Sequence, residues 1–203
     1  MPRITLIGYR GTGKSTVAAL LGEILGCGWC DADLVLEAKI GCSIASLVRT
    51  RGEPVFRDEE AIVLAELLGR FPGVLSTGGG AVLRAENRDV IRELGRPVVW
   101  LTAPAEVVRQ RLAADPTTAE RRPALAVQPS VHGDPLHEVA TALAEREPLY
   151  RACADFQVDT SIATPATVAA QVVAWLQGDW ARRPGMIPPD DVQPTDGSAG
   201  ATL

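Results

Sequence analysis

The chain has 203 residues, 20 Lys and Arg against 25 Asp and Glu, a net charge of −5 and 46% hydrophobic residues. That length suits one domain with a short appendage, and the apolar content is that of a globular chain. The acidic balance argues against a nucleic-acid partner, whose footprint is a basic patch, whereas a small anionic ligand needs only a few placed cations.

Arg3–Ile7 reads as a short strand, with too few apolar residues for the core of a secretory leader. No uninterrupted apolar run reaches the ~20 residues of a membrane span. The expectation is a cytoplasmic protein without a membrane partner. The next segment has helical period, with Val17, Leu20, Leu21, Ile24 and Leu25 on one face. Trp29–Asp31 is a second short strand. Helices follow at 33–40, 43–51 and 54–70, the last carrying Ile62, Leu64, Leu67 and Leu68. Val74–Ser76 is a strand, 84–94 a helix, 97–102 a buried strand and 104–114 a helix. From about 115 to 135 the chain turns polar and Pro-rich, a loop long enough to be functional. Helix returns at 136–153, a strand at Phe156–Asp159 and an amphipathic helix at 165–177 with Val168, Val172 and Trp175. Strands alternating with helices predict an α/β fold, a parallel sheet with helices on both faces. Past Gly178 the composition shifts to Pro, Gly and Ser, so the domain is expected over 1–178 and a disordered tail over 179–203.

Cys27 and Cys30 form a C-x-x-C, a spacing found in redox pairs and half zinc sites. Without a second Cys pair, and with His132 and His137 about a hundred residues away, they read as small apolar residues flanking a strand.

Gly8-Tyr9-Arg10-Gly11-Thr12-Gly13-Lys14-Ser15 satisfies G-x-x-x-x-G-K-[ST] after a strand and before a helix, the context the motif requires. Its glycines let successive N–H groups turn toward phosphate oxygens, and the helix N-terminus adds positive charge. Lys14 is one of only two lysines beside 18 arginines. It is suited to the β/γ-phosphates, and the Ser15 hydroxyl to Mg²⁺. Asn87 is the sole asparagine, and no Asn-Lys-x-Asp tetrad surrounds it, so a guanine-specific GTPase recedes. No strand ends as four apolar residues and an Asp, so a mechanical ATPase recedes too.

Asp31 and Asp33 end the second strand, where i, i+2 spacing on extended backbone puts both on one side. They admit two readings: Mg²⁺ ligation and proton acceptance from an attacking hydroxyl, or capping of the following helix. Arg57 stands just inside a helix start, where a cation is electrostatically misplaced; a surface ion pair with Glu60 is the plain account. Three successive glycines, Gly78, Gly79 and Gly80, are costly to order and suggest close approach to a ligand or a flexible turn.

The phosphate loop, Asp31-Ala32-Asp33, the segment Gly52–Glu60 and Thr77–Ala81 occur in the order and spacing of shikimate kinase, which the chain resembles over about 3–176. That resemblance implies a P-loop, nucleoside-monophosphate-kinase-like fold with a lid at about 115–135, and Mg²⁺-dependent phosphorylation of the 3-hydroxyl of shikimate by ATP. By position, it implies that Asp33 binds shikimate hydroxyls and is the base, with Lys14 and Arg122 completing the catalytic set. It implies Asp31 with Ser15 on the metal side. Gly11, Thr12, Gly13, Lys14, Ser15 and Thr16 hold ATP together with Arg111, stacked on adenine, and Arg122 of the lid. Arg57 and Arg146 grip the shikimate carboxylate, which suits a planar fork, and Gly78–Gly80 offer backbone N–H groups. The family pattern departs at Ala124, where Leu is usual, and after Ser161, where no Arg or Asn follows. It implies a monomer acting on small molecules. A gluconate-kinase-like enzyme of the same fold, or a non-catalytic nucleotide-binding module, are the competing readings; neither needs two arginines and three glycines arranged for a cyclic carboxylate.

Overall fold

The structure, a computed structural model, describes residues 4–115 and 135–183. Five parallel strands run in the order β2-β3-β1-β4-β5: β1 Ile4–Ile7, β2 Trp29–Asp31, β3 Val74–Ser76, β4 Val98–Thr102 and β5 Phe156–Asp159. Helices connect them: α1 Lys14–Ile24, α2 Ala32–Ile40, α3 Ile44–Arg51, α4 Glu53–Arg70, α5 Ala85–Leu94, α6 Ala105–Ala114, α7 Pro135–Cys153 and α8 Pro165–Trp175. A 3₁₀ turn, Ala81–Leu83, leads into α5. The predicted α/β sheet and its elements are present, with ends differing by one or two residues.

Period-2 alternation sorts the strands between two cores. Ile4, Leu6, Val99 and Leu101 face α1 and α8, where Val17, Leu21, Val168, Val172 and Trp175 close the layer. Ile7, Leu75, Val98 and Trp100 face the other way, onto Leu64 and Leu68 of α4, Ile91 of α5 and Tyr150 of α7. Both faces of the central strands are therefore apolar, the signature of a covered parallel sheet. Because all strands run one way, Ile7, Asp31, Ser76, Thr102 and Asp159 end on the same edge, where an open parallel sheet gathers ligands.

Two apolar positions depart from the expected faces. Ile24 and Ile62 are about half exposed, because the buried stripes are narrower than the periodicity suggests; Val63, beside Ile62, is the residue that faces inward. The tail boundary also moves. After α8 the chain continues through a wide turn, Leu176–Trp180, and Trp180 is only 3% exposed. Its ring lies 5.3 Å from that of Trp175, with the Arg96 and Arg183 guanidinium groups 5.4 and 5.0 Å away. Arg183 also reaches the buried Asp155 carboxylate at 3.2 Å. Trp180 and, in part, Arg183 are thus packed, because one large aromatic outweighs the surrounding polar composition. Residues 184–203 of the expected tail, and 116–134 of the expected lid with Arg122, lie outside the described residues.

Candidate active site

The loop between β1 and α1 takes its shape from glycine. Gly8, Gly11 and Gly13 have φ of 142°, 80° and 88°, and a Cβ at residue 8 would sit 2.3 Å from the Leu101 carbonyl oxygen. Gly13 is the N-cap of α1, without a capping side chain, which leaves the helix N-terminal N–H groups available to an anion. Lys14 is buried and donates from Nζ to the Tyr9 carbonyl at 2.9 Å. The Thr12 hydroxyl donates to the same carbonyl at 2.8 Å. A cavity of about 370 Å³ opens here, lined by Gly11, Gly13, Lys14, Ser15, Thr16, Asp31 and Arg111 among others. A second cavity of about 310 Å³ adjoins it, lined by Thr12, Thr16, Arg111, Thr160 and Pro165 with Val17, Ala163 and Val168. Arg111 borders both. It is held by the Thr160 hydroxyl at 2.9 Å, the Thr160 carbonyl at 2.5 Å and the Gly11 carbonyl at 3.3 Å.

The two aspartates are not on one extended strand. Helix α2 begins at Ala32, so Asp31 ends β2 and Asp33 lies in the first helical turn. The cause is local: Asp31 Oδ1 accepts the Asp33 N–H at 3.0 Å, capping the helix. Capping does not exhaust Asp31. Its other oxygen accepts from the Ser15 hydroxyl and, at 3.2 Å, from Ser76. A hydroxyl and a carboxylate, both hard oxygen donors, therefore meet at the phosphate end of the cavity. That donor set fits Mg²⁺, which takes one or two protein oxygens and fills its remaining positions with water and phosphate. It does not resemble a zinc site, and Cys27 and Cys30 remain free thiols. Burial first, then the Asp31 charge, pushes the Cys30 thiol up to about 11, which disfavours the thiolate that a ligand or nucleophile needs.

Asp33, Arg57, Glu60 and the three glycines form one cluster. Arg57 Nη1 donates to Glu60 at 2.8 Å, while Nε and Nη2 donate to Glu53 at 3.1 and 3.0 Å. Burial disfavours this charge, but Glu60 and then Glu53 outweigh it and hold the guanidinium pKa above its ordinary value. The pair with Glu60 is buried on both sides, not at the surface. At each of the three glycines a side chain would crowd a neighbour. A Cβ at residue 78 would lie 2.7 Å from both Asp33 Oδ1 and Glu60 Oε1, one at 79 would lie 2.9 Å from the Arg10 nitrogen, and one at 80 would lie 2.2 Å from Arg57 Nη1. The triple glycine thus wedges acceptor-side side chains against the phosphate loop.

Arg146, on α7, completes the cluster. It is 7% exposed, donates to the Gly79 carbonyl at 3.4 Å, and pairs with no carboxylate among the described residues. Tyr150, one turn on, donates to the same carbonyl at 2.6 Å, and burial raises its pKa further above the usual phenol range. The structure accordingly brings together every expected site residue that it describes. Sequence reasoning missed Ser76, Glu60 as a buried partner, Thr160, Tyr150 and Tyr9; only Glu60 had a local signal, its i, i+3 spacing from Arg57.

Comparison with known proteins finds relatives of the whole domain. The shikimate kinase family model matches residues 10–177. The shikimate kinase of Oleidesulfovibrio alaskensis is 44% identical over 176 residues, which span 87% of this chain and 98% of that one. That of Rhodopirellula baltica is 46% identical over 156 residues, 77% and 80% of the two chains. Among solved structures, shikimate kinase from Acinetobacter baumannii in complex with shikimate aligns with TM-score 0.77 and 34% identity, covering 87% of this chain and 93% of that one.

Proposed function

The chain belongs to the shikimate kinase family, and we propose that its site divides the phosphorylation of shikimate by ATP between a nucleotide half and an acceptor half that meet at Gly79. The observation that carries this reading is the pair of buried arginines, Arg57 and Arg146, beside a glycine run packed on the phosphate loop. A buried guanidinium without a carboxylate partner is costly unless an anion completes it. Arg146 is in that position among the described residues, so an anionic acceptor satisfies it.

In the nucleotide half, N–H groups of Gly11, Thr12 and Gly13 cradle the phosphates, with Thr16 at the same helix end. Lys14 leaves the Tyr9 carbonyl for the β/γ-phosphates and stabilises charge developing on the transferring group. Arg111 lies between the two cavities, suited to stack on the base, with Pro165 across the smaller one; Arg122 of the lid closes on the phosphates. Ser15 and Asp31 would hold Mg²⁺, which would supply charge neutralisation for the phosphates. In the acceptor half, Arg57 and Arg146 grip the carboxylate bidentately and Gly78–Gly80 offer N–H groups. Asp33 orients the 3-hydroxyl and takes its proton. The family supports a cytoplasmic monomer on small-molecule substrates, and the net charge of −5 speaks against nucleic acid.

The test is ADP release with shikimate, gluconate or no acceptor. Turnover with shikimate alone is expected; equal turnover with gluconate, or ADP release independent of acceptor, would overturn the assignment.

A further inference from the structure

Tyr9 is the second residue of the phosphate loop, a position the motif leaves free. Its side chain nevertheless enters an apolar cluster. The ring is 6% exposed and packs with Ala103, Val108, Val139 and Ala142. The guanidinium carbon of Arg146 lies 5.1 Å from its centroid, inside the ~6 Å reach of a cation–π contact.

The contrast between the two acceptor-side arginines gives that contact its meaning. Arg57 is fixed by Glu53 and Glu60 on its own helix. Arg146 instead, among the described residues, has a long hydrogen bond to the Gly79 carbonyl at 3.4 Å and an interaction with the Tyr150 hydroxyl, and no carboxylate. A long, rotamer-rich side chain without a carboxylate to fix it loses entropy on meeting a ligand unless its surroundings already order it. An aromatic face beneath it lowers that cost without supplying a competing carboxylate. Tyr9 is itself anchored, since its carbonyl accepts from the Thr12 hydroxyl at 2.8 Å.

We propose that Tyr9 is a positioning residue for the acceptor: its ring holds the Arg146 guanidinium ready for the shikimate carboxylate and ties that grip to the phosphate loop. The inference rests on the reading of Arg146 as a carboxylate-binding residue, and the experiment separates the two.

The steady-state constants of Tyr9→Leu, Tyr9→Phe, Arg146→Gln and the Tyr9→Leu/Arg146→Gln double variant are to be measured for both substrates. Tyr9→Leu should raise the shikimate KM about 5- to 30-fold, the upper part of the cation–π range because both groups are buried, with the ATP KM little changed. Tyr9→Phe keeps the ring face and should restore the parent value. In the Arg146→Gln background, Tyr9→Leu should add nothing, because its effect passes through the missing guanidinium. A rise under fivefold in Tyr9→Leu, while Arg146→Gln is strongly impaired, overturns the role of Tyr9 and leaves the acceptor reading standing. An unimpaired Arg146→Gln overturns both. Equal rises in both KM values, unrelieved by Phe, mean that Tyr9 only packs the loop, which also overturns the proposal. Should Tyr9→Leu not fold, Tyr9→Met carries the same test.

Discussion

Replacing Gly80 with Ala adds one methyl group at the tightest point of the acceptor cluster. The backbone tolerates it, since Gly80 has φ of −100°. The new Cβ, however, would stand 2.2 Å from Arg57 Nη1 and 2.9 Å from both Cζ and Nη2. Non-bonded heavy atoms rest about 3.5 Å apart, so the guanidinium must recede by roughly 1 Å. It cannot swing freely, because its nitrogens are bonded to Glu60 at 2.8 Å and to Glu53 at 3.0 and 3.1 Å. Leaving Glu60 as an uncompensated buried charge costs about 3–5 kcal/mol, so a small shift of the whole group is the cheaper response. A displacement of about 1 Å in a positioning group is worth on the order of 10²-fold. The expected result is a loss of about 10²-fold in kcat/KM for shikimate, with ATP affinity by calorimetry near that of the parent. Gly79→Ala should behave oppositely, because its Cβ meets the Arg10 backbone nitrogen at 2.9 Å and so presses on the phosphate loop. The steric reasoning fails if Gly80→Ala keeps shikimate kcat/KM within threefold, or if it loses ATP affinity instead.

Asp33→Asn keeps the side chain's size but removes the charge that accepts the hydroxyl proton; turnover should fall ~10²–10⁴-fold, and near-parent turnover in a coupled assay would exclude Asp33 as the base. Asp31→Asn should fold normally, because Asn caps a helix about as well as Asp; its defect should be a raised Mg²⁺ requirement, seen by titrating Mg²⁺ at fixed ATP. Trp180→Ala should cost about 3–5 kcal/mol, lowering Tm by roughly 6–20 °C for a chain of this size. Scanning calorimetry checks it, and a change under 2 °C would show that Trp180 contributes little.

The features legible in the sequence are those whose physics is local. Eight consecutive residues determine the phosphate loop, because glycine spacing and a Lys-Ser pair at a strand–helix junction dictate both shape and charge. Alternation and helical period located the strands and helices, since burial of an apolar stripe is decided within each element. The helix cap at Asp31 was one of two local readings, and the structure shows that cap: one oxygen accepts the Asp33 N–H while the other meets Ser15 and Ser76. Tertiary structure decided what distance along the chain conceals. Composition marked residues 179–183 as tail, but Trp180 finds Trp175, Arg96 and Arg183 only when β4, β5 and α8 are assembled. The three glycines read as a ligand turn, yet their steric cause is the approach of Arg57, Asp33, Glu60 and the Arg10 backbone. Ile24 and Ile62 fit the helical period but face solvent, because period specifies a direction and only the packed neighbours set how wide the buried stripe becomes. Tyr9 and Arg146 meet for the same reason: α7 packs against the phosphate loop, and no pattern near either residue encodes that contact.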